Sequence, residues 1–436
     1  MRTGEFTAII GPSGAGKTTY LVALSGKNTL PSTGTVKVNG TNVEQLQGFV
    51  EILPQFDVFM EGLSVMEHLI FMTEMKLGSI RKSSNKAILK SLIHELKLKM
   101  LEDSPISSLS GGERRLLSLA TIAVSMDFDN KFLVGNIPPL DDERTGLVRH
   151  TRCQRSWLKQ VQLLQWRSSL LLKRNIKNYI FQLFFGIVMS CLIISTCYVG
   201  ITGRTQQGVQ DLRGFLWLMC SEVSFSVSYC ALYIFEADLA LFKREVGIYR
   251  TSCFYASRFL SMMPRCIIWP VAYVAIASLA VELPDHFVTT LKFAVALIAT
   301  AITSAAYGLG MGALFLSTGA MGDIMPCADL PLFLMSGAFL RISSLPTWLY
   351  PLKYFSHFYY GIDVLSNIYW RQIDWIDCPF NSTLKCLDNG AEVLYENGYS
   401  TNYILEDSLG NLFVFIVWSV LGYWGLKREE NKGYAY

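Results

Sequence analysis

The sequence predicts an α/β domain built on a phosphate-binding loop, incomplete in extent, followed by an all-α domain that crosses a membrane six times. Three observations predict it. Gly11 to Thr19 reads GPSGAGKTT and lies between a short apolar run and the start of a helix. The 436-residue chain is 51% hydrophobic and 17% charged, with a mean hydropathy of +0.31, whereas soluble domains carry nearer a quarter charged residues. Most of the acidic and basic residues precede Lys177, and long uncharged runs follow it.

The loop matches G-x-x-x-x-G-K-[ST] at Gly11, Gly16, Lys17 and Thr18. Its glycines let successive backbone N–H groups turn inward as an anion site, and a helix starting at the loop adds its positive end. Lys17 is expected to reach the outer phosphates and Thr18 to be a ligand for Mg²⁺. Phe6 to Ile10 reads as a short buried strand before the loop, and Thr18 to Leu24 as the start of the helix after it. The competing reading is a glycine-rich surface turn, which would not need that strand–loop–helix setting. The candidate nucleotide residues here are Gly11, Pro12, Ser13, Gly14, Ala15, Gly16, Lys17, Thr18 and Thr19. This loop places the first part in the P-loop NTPase class.

Beyond the loop, Thr35 to Val38 alternates and ends at the hairpin signal Asn39-Gly40. Gln55 follows the apolar run Ile52-Leu53-Pro54. Leu63 to Met75 has helical period, with Leu63, Met66, Leu69 and Ile70 on one face, and Ser83 to Leu101 reads as a second amphipathic helix. Ser110-Gly111-Gly112-Glu113 then opens the apolar run Leu116 to Val124, a second glycine turn at a helix start that could hold a phosphate.

Two such helix starts about a hundred residues apart exceed what a simple kinase or GTPase needs. GPSGAGKTT, ILPQFD and LSGGERR, in that order and spacing, resemble the nucleotide-binding domain of an ABC transporter. The resemblance implies that Gln55 is the Q-loop residue, an ATP and Mg²⁺ ligand alongside Thr18. It also implies that Ser110, Gly111, Gly112 and Glu113 form the signature, which closes over ATP held by a partner's loop. A dimer is therefore expected. The Glu113 spelling, and the cassette preceding the membrane part, resemble the G subfamily, the White-type eye-pigment-precursor and sterol half-transporters.

The cassette departs from that family. Where a strand ending in Asp-Glu is expected, Lys131 to Gly135 is followed by Asn136-Ile137-Pro138. Isoleucine cannot act as the general base that hydrolysis requires, so no catalytic residue is assigned. Asp141, Asp142 and Glu143 are either substitutes or a solvated acidic turn. His150 is too early for the family's switch histidine. The family's segments before the loop strand and between the Asp-Glu strand and the membrane are short here. The cassette is accordingly expected to be a shortened version, either a natural degenerate subunit or an incomplete gene model.

In the second part, Arg155 to Lys173 is amphipathic and suits a helix at the membrane surface, with an ordinary packed helix as the alternative. Candidate spans are Tyr179 to Ile201, Gly214 to Phe235, Phe259 to Val281, Leu291 to Leu316, Ile324 to Leu340 and Leu409 to Leu426. The opening MRTGEF has no signal-peptide core, so insertion is expected to come from these spans. Basic clusters at Lys173, Arg174 and Lys177, at Lys243, Arg244, Arg250 and Arg258, and at Lys427 and Arg428 fall on one side of a six-span arrangement. Both termini are then cytoplasmic and the loop 341–408 lies outside. That loop holds the glycosylation candidate Asn381 and the disulfide candidates Cys378 and Cys386, an agreement of independent signals. The other cysteines in or beside apolar runs read as packing residues, and without a C-x-x-C pair a zinc or redox site is not expected. Phe242 to Glu245, Gly247 and Tyr249-Arg250 resemble the G-subfamily loop that contacts the cassette. Ser336-Gly337, Pro346, Tyr354, Tyr360-Gly361 and Cys386 to Leu394 resemble its fifth span and outer loop. Glu222 lies mid-span, where a charge usually faces a cavity or finds a partner.

The expected layout is a truncated cassette at 1–150, a connecting helix at the membrane surface at 151–177, and a membrane domain at 178–436. The resemblance implies an ATP-binding half-transporter that pairs with a second half-transporter, as a homo- or heterodimer. Its substrate would be a hydrophobic or aromatic small molecule, such as a pigment precursor, a sterol or another lipid. Its location would be the plasma membrane or an intracellular vesicle membrane. The net charge of +3 gives no reason to expect nucleic acid. The rivals are a hydrolysis-deficient partner subunit and a membrane protein whose cassette remnant has no nucleotide function.

Overall fold

The computed structural model describes residues 5–26, 33–38, 41–43, 52–53, 55, 57–77, 82–126, 155–316, 320–337, 342–378, 386–399 and 403–432. They divide into two units. Residues 1–174, 240–254 and 429–436 belong to the first, and 175–239 and 255–428 to the second.

In the first unit, helix α1 (Lys17–Leu24) leaves the loop directly. Strands β1 (Lys37–Val38) and β2 (Thr41–Asn42) pair antiparallel, with Val38 opposite Thr41; Asn39 and Gly40 lie outside the described residues. The core is helical. It is built from α2 (Val65–Leu77), α3 (Lys82–Glu95) and α4 (Gly111–Met126), which enclose Leu63, Leu69, Ile93, Leu98, Ile106, Leu117 and Val124. Helix α2 starts where Ser64 and Glu67 cap one another: the Ser64 N–H donates to the Glu67 carboxylate (2.8 Å), and the Glu67 N–H to the Ser64 hydroxyl (3.3 Å).

Two expectations are corrected here. Phe6 to Ile10 is not a strand. A strand is held by ladder bonds to a neighbour, no described residue pairs with this run, and Phe6 and Ile10 are 99% and 92% exposed. The α/β layering is thus absent among the described residues, whose sheet is the single β1–β2 pair. The helix expected from Ser83 to Leu101 also stops early, at Glu95. Lys97 takes a left-handed φ of 56°, which turns Leu98 into the core before a short 3₁₀ turn, Lys99–Leu101. The strand at Lys131 to Gly135, with Asn136, Ile137, Asp141, Asp142, Glu143 and His150, lies outside the described residues, as does Asn381.

Helix α5 (Trp157–Arg174) closes the first unit, burying Gln160, Val161, Leu164 and Arg167 along one face. Leu158 and Leu172 on the same helix are exposed.

The second unit is a helical bundle. Helices α6 (Ile176–Cys197), α7 (Gln206–Leu232), α9 (Thr251–Ala280), α10 (His286–Leu314) and α14 (Tyr403–Asn431) carry apolar stretches long enough to cross a membrane, with α8 (Ile234–Arg244) extending the stretch begun by α7. Among the described residues these make five candidate spans. The fifth expected span, Ile324 to Leu340, appears among the described residues as the 14-residue α11 (Met321–Leu334), about 21 Å long and shorter than a hydrocarbon core. Pro326 and Pro331 lie inside it.

Close backbone approach fixes α10 against α7. A Cβ at Gly308 would lie 2.2 Å from the Ser228 carbonyl oxygen, and one at Gly312 would lie 2.3 Å from that of Leu232. The four-residue spacing puts both glycines on one face, the small-residue contact that lets membrane helices touch. The apolar α12 (His357–Trp370) is buried throughout and starts at a Ser356 side-chain cap on the Tyr359 N–H. Asn389 caps α13 (Gly390–Asn397), and Cys378 and Cys386 form a disulfide nearby in sequence.

Candidate functional site

The loop at Gly11 is shaped by backbone constraints. Gly14 and Gly16 have φ of 82° and 79°, a left-handed region that side chains rarely adopt, and a Cβ at either would meet no atom within 4 Å. Glycine is therefore required here by conformation, and the loop opens freely to solvent. Gly16 is the N-cap residue of α1, so the unsatisfied N–H groups of that helix face the loop. The Lys17 ammonium folds back and donates to the carbonyls of Gly11 (2.7 Å) and Pro12 (2.6 Å). Thr18 and Thr19 are exposed on the first turn of the helix.

These features fit a polyphosphate. The loop offers oriented N–H groups, a cation held at its rim, and a hydroxyl on the next residue for a bound Mg²⁺. The described residues contain no cluster of three or more His, Cys, Asp or Glu side chains that could hold a metal by themselves. Among those residues the structure does not bring the expected parts together: no hydrogen bond joins Lys17 to Gln55, Ser110 or Glu113. Gln55 is exposed.

The signature turn is a second capping box. The Ser110 N–H and hydroxyl both donate to the Glu113 carboxylate at 2.8 Å, and the Glu113 N–H donates to the Ser110 hydroxyl at 3.4 Å. The backbone bond first, then the hydroxyl bond, hold the Glu113 carboxyl below its ordinary range, so it is charged at neutral pH. Gly111 and Gly112 have nothing within 4 Å of a Cβ position and leave the helix end open.

Near Gln55, Asp57 accepts from Arg115 (3.2 Å) and from the Ser118 hydroxyl on α4. Arg244 donates to the Ser118 hydroxyl (2.8 Å) and to the Val58 carbonyl (2.7 Å), and its guanidinium lies 4.5 Å from the Phe59 ring centroid. Residues 240–254 therefore pack on the helical core of their own unit. Glu245, the next residue, is buried against Arg167 of α5 at 2.7 and 3.0 Å, and the Tyr249 hydroxyl donates to the same carboxylate at 2.7 Å. Burial works against the Arg167 charge, but the Glu245 carboxylate outweighs it and the guanidinium is held firmly protonated. The Gln160 side chain accepts from the Arg250 N–H (3.0 Å).

His68 sits among these groups, with its Nε2 3.1 Å from the Thr121 hydroxyl and its ring edge-on to Phe59. Burial first, then the charges of Arg244, Arg167 and Lys76, lower its pKa to about 3, so the imidazole is neutral.

Asp57, His68, Ser118 and Arg167 were not singled out from sequence. Arg167 carried a signal: it stands three residues after Leu164 on the apolar stripe of α5, where a charge requires a buried partner. Ser64-x-x-Glu67 is likewise a capping-box spelling.

The family comparisons agree with this organisation. The ABC transporter family model matches residues 1–127, and the ABC-2 type transporter model matches residues 159–370. Protein brown of Drosophila melanogaster is 30% identical over 246 residues, 56% of this chain and 36% of that protein. Protein scarlet of Drosophila melanogaster is 27% identical over 281 residues, 64% of this chain and 42% of that protein. Protein white of Ceratitis capitata is 26% identical over 287 residues, 64% and 41% respectively. The chain thus spans less than half the length of these curated relatives. Carrying an ABC transporter domain followed by an ABC-2 type membrane domain, the chain belongs to the ABC transporter family, on the White, Brown and Scarlet side of its G subfamily.

Proposed function

We propose that this chain is an ATP-binding half-transporter subunit that, paired with a second half-transporter, moves a hydrophobic or aromatic small molecule across a membrane. The observation that carries the reading is the loop at Gly11 to Thr19, with its left-handed Gly14 and Gly16 and with Lys17 at its rim. Gly11 to Thr19 bind the phosphates of ATP, Thr18 and Gln55 serve Mg²⁺ through the nucleotide, and Ser110 to Glu113 close over the partner's nucleotide. The P-loop supplies the phosphate site of an α/β cassette, with domain limits at 1–150, 151–177 and 178–436. The segment around Arg244 and Glu245, buried against α4 and α5, supports a mechanical role: movement of the nucleotide-binding part would be felt at the ends of the second and third spans.

In this reading α11 belongs to the fifth of six spans and α14 is the sixth, both termini are cytoplasmic, and 341–408 faces outward with Asn381 glycosylated. The host is the plasma membrane or a vesicle membrane. Asn136-Ile137, standing where two carboxylates are expected, favours a second reading: a subunit that binds ATP and relies on its partner for hydrolysis.

The test is equilibrium binding of a fluorescent ATP analogue to the purified full chain, alone and co-expressed with a sister subunit. Binding that Lys17→Ala abolishes, with turnover, supports the first reading. Binding without turnover supports the second. Absence of binding in both preparations leaves only a cassette remnant without nucleotide function.

A further inference from the structure

The second unit holds a cavity of about 160 Å³ between α6, α7 and α9. Its walls are mostly apolar, contributed by Phe185, Met189 and Ile193 of α6 and by Tyr273 of α9. One charged group enters it, Glu222 of α7, beside the Ser190 hydroxyl of α6. Gly186 forms part of the wall. A Cβ there would lie 2.5 Å from the Trp269 ring, so α6 packs closely on that indole of α9 at the glycine.

The position of Glu222 is costly. It lies about 24 Å along the axis from Gln206 and about 15 Å before Leu232, deep in a stretch long enough to span a membrane. No ion pair among the described residues involves it. A carboxylate at that depth is retained when something compensates it, and the Ser190 hydroxyl is the polar group that lines the cavity beside it. Phe185, Met189 and Ile193 line the cavity and are also exposed, so the cavity opens at the surface of the second unit.

We propose that this cavity binds a compact apolar molecule bearing a protonated amine. The ammonium pairs with Glu222 and Ser190, and the apolar body lies against Phe185, Met189 and Tyr273, where the aromatic faces also attract a cation. The volume sets the size, because drug-sized ligands need cavities of about 300 Å³ or more. A neutral lipid chain would fill the space without answering the charge, and an anion would be repelled. The site does not depend on ATP turnover and would hold in a chain whose nucleotide loop is silent.

The test is saturable binding of radiolabelled 2-phenylethylamine to the full chain in phosphatidylcholine nanodiscs, without nucleotide. Unlabelled 2-phenylethanol serves as the uncharged competitor. The amine is expected to bind and the alcohol to compete poorly. Glu222→Gln, which keeps the shape and removes the charge, is expected to weaken binding by roughly thirtyfold or more. Met189→Trp, which fills the cavity and leaves Glu222 in place, is expected to lose binding as well, and covers the case in which the glutamine variant does not fold. Unsaturable uptake, equal competition by the alcohol, or unchanged binding in both variants would overturn the proposal.

Discussion

Arg167 and Glu245 form an ion pair at 2.7 Å with side chains only 1% and 2% exposed, joining α5 to the segment that follows α8. The guanidinium also lies 4.1 Å from the Phe71 ring centroid of α2. Removing one partner leaves the other charge buried alone, whereas replacing both with apolar groups removes the conflict. Arg167→Ala or Glu245→Ala is therefore expected to destabilise the first unit by ~3–5 kcal/mol, and Arg167→Met with Glu245→Leu by much less. Thermal unfolding of the three variants checks this. Equal losses in the single and double variants would contradict it.

Lys17→Ala removes the cation at the loop rim, and Gly14→Ala forces a side chain into φ 82°. The two act differently. The lysine variant is expected to keep the fold and lose nucleotide affinity. The alanine variant is expected to cost ~1–2 kcal/mol locally, because non-glycine residues rarely tolerate that conformation. Isothermal titration with ATP, beside hydrogen exchange over α1, separates the effects.

Acid should weaken the first unit through His68. Unfolded, this imidazole takes up a proton near pH 6.5; folded, it refuses one until about pH 3. Over that window the unfolded chain binds more protons, so stability falls as pH falls, by ~2 kcal/mol from this group between pH 6.5 and 5. Melting temperatures at pH 7 and 5, for the parent and for His68→Gln, measure its share. An equal acid loss in both proteins would assign the effect elsewhere.

Gly308→Ala and Gly312→Ala test the α7–α10 contact. Each Cβ would fall within 2.3 Å of a facing carbonyl oxygen, so the helices must separate. A loss of ~1–3 kcal/mol each is expected, as for overpacking in a tight core. The readout is the yield of folded protein in detergent and its thermal half-life. Parent-like values would mean that the approach is looser than described.

Local chemistry was legible in the sequence where the backbone dictates the residue. The Gly11–Thr19 spelling announced the loop, the alternation of Thr35 to Val38 announced strand β1, and long apolar runs announced the helices of the second unit. What stayed hidden depends on partners far away in the chain. Phe6 to Ile10 has the composition of a strand, but a strand is defined by its neighbour. Lys97 interrupts a helical pattern because Leu98 is drawn into the core. Asp57, Ser118 and Arg244 lie 61 residues or more from at least one member of their network, and no spacing rule connects them. Glu222 was visible as a misplaced charge, but the cavity it faces takes residues from three helices.

The reciprocal bonds at Ser110 and Glu113 change what that turn can accept. The Ser110 hydroxyl and N–H are already engaged by the chain's own anion, so in the proposed reading a phosphate that uses those two donors has to displace the Glu113 carboxylate. At those two donors the proposed capture would be an exchange between like charges. Glu113→Gln, which keeps an acceptor for the cap and drops the charge, would measure how much that incumbent resists.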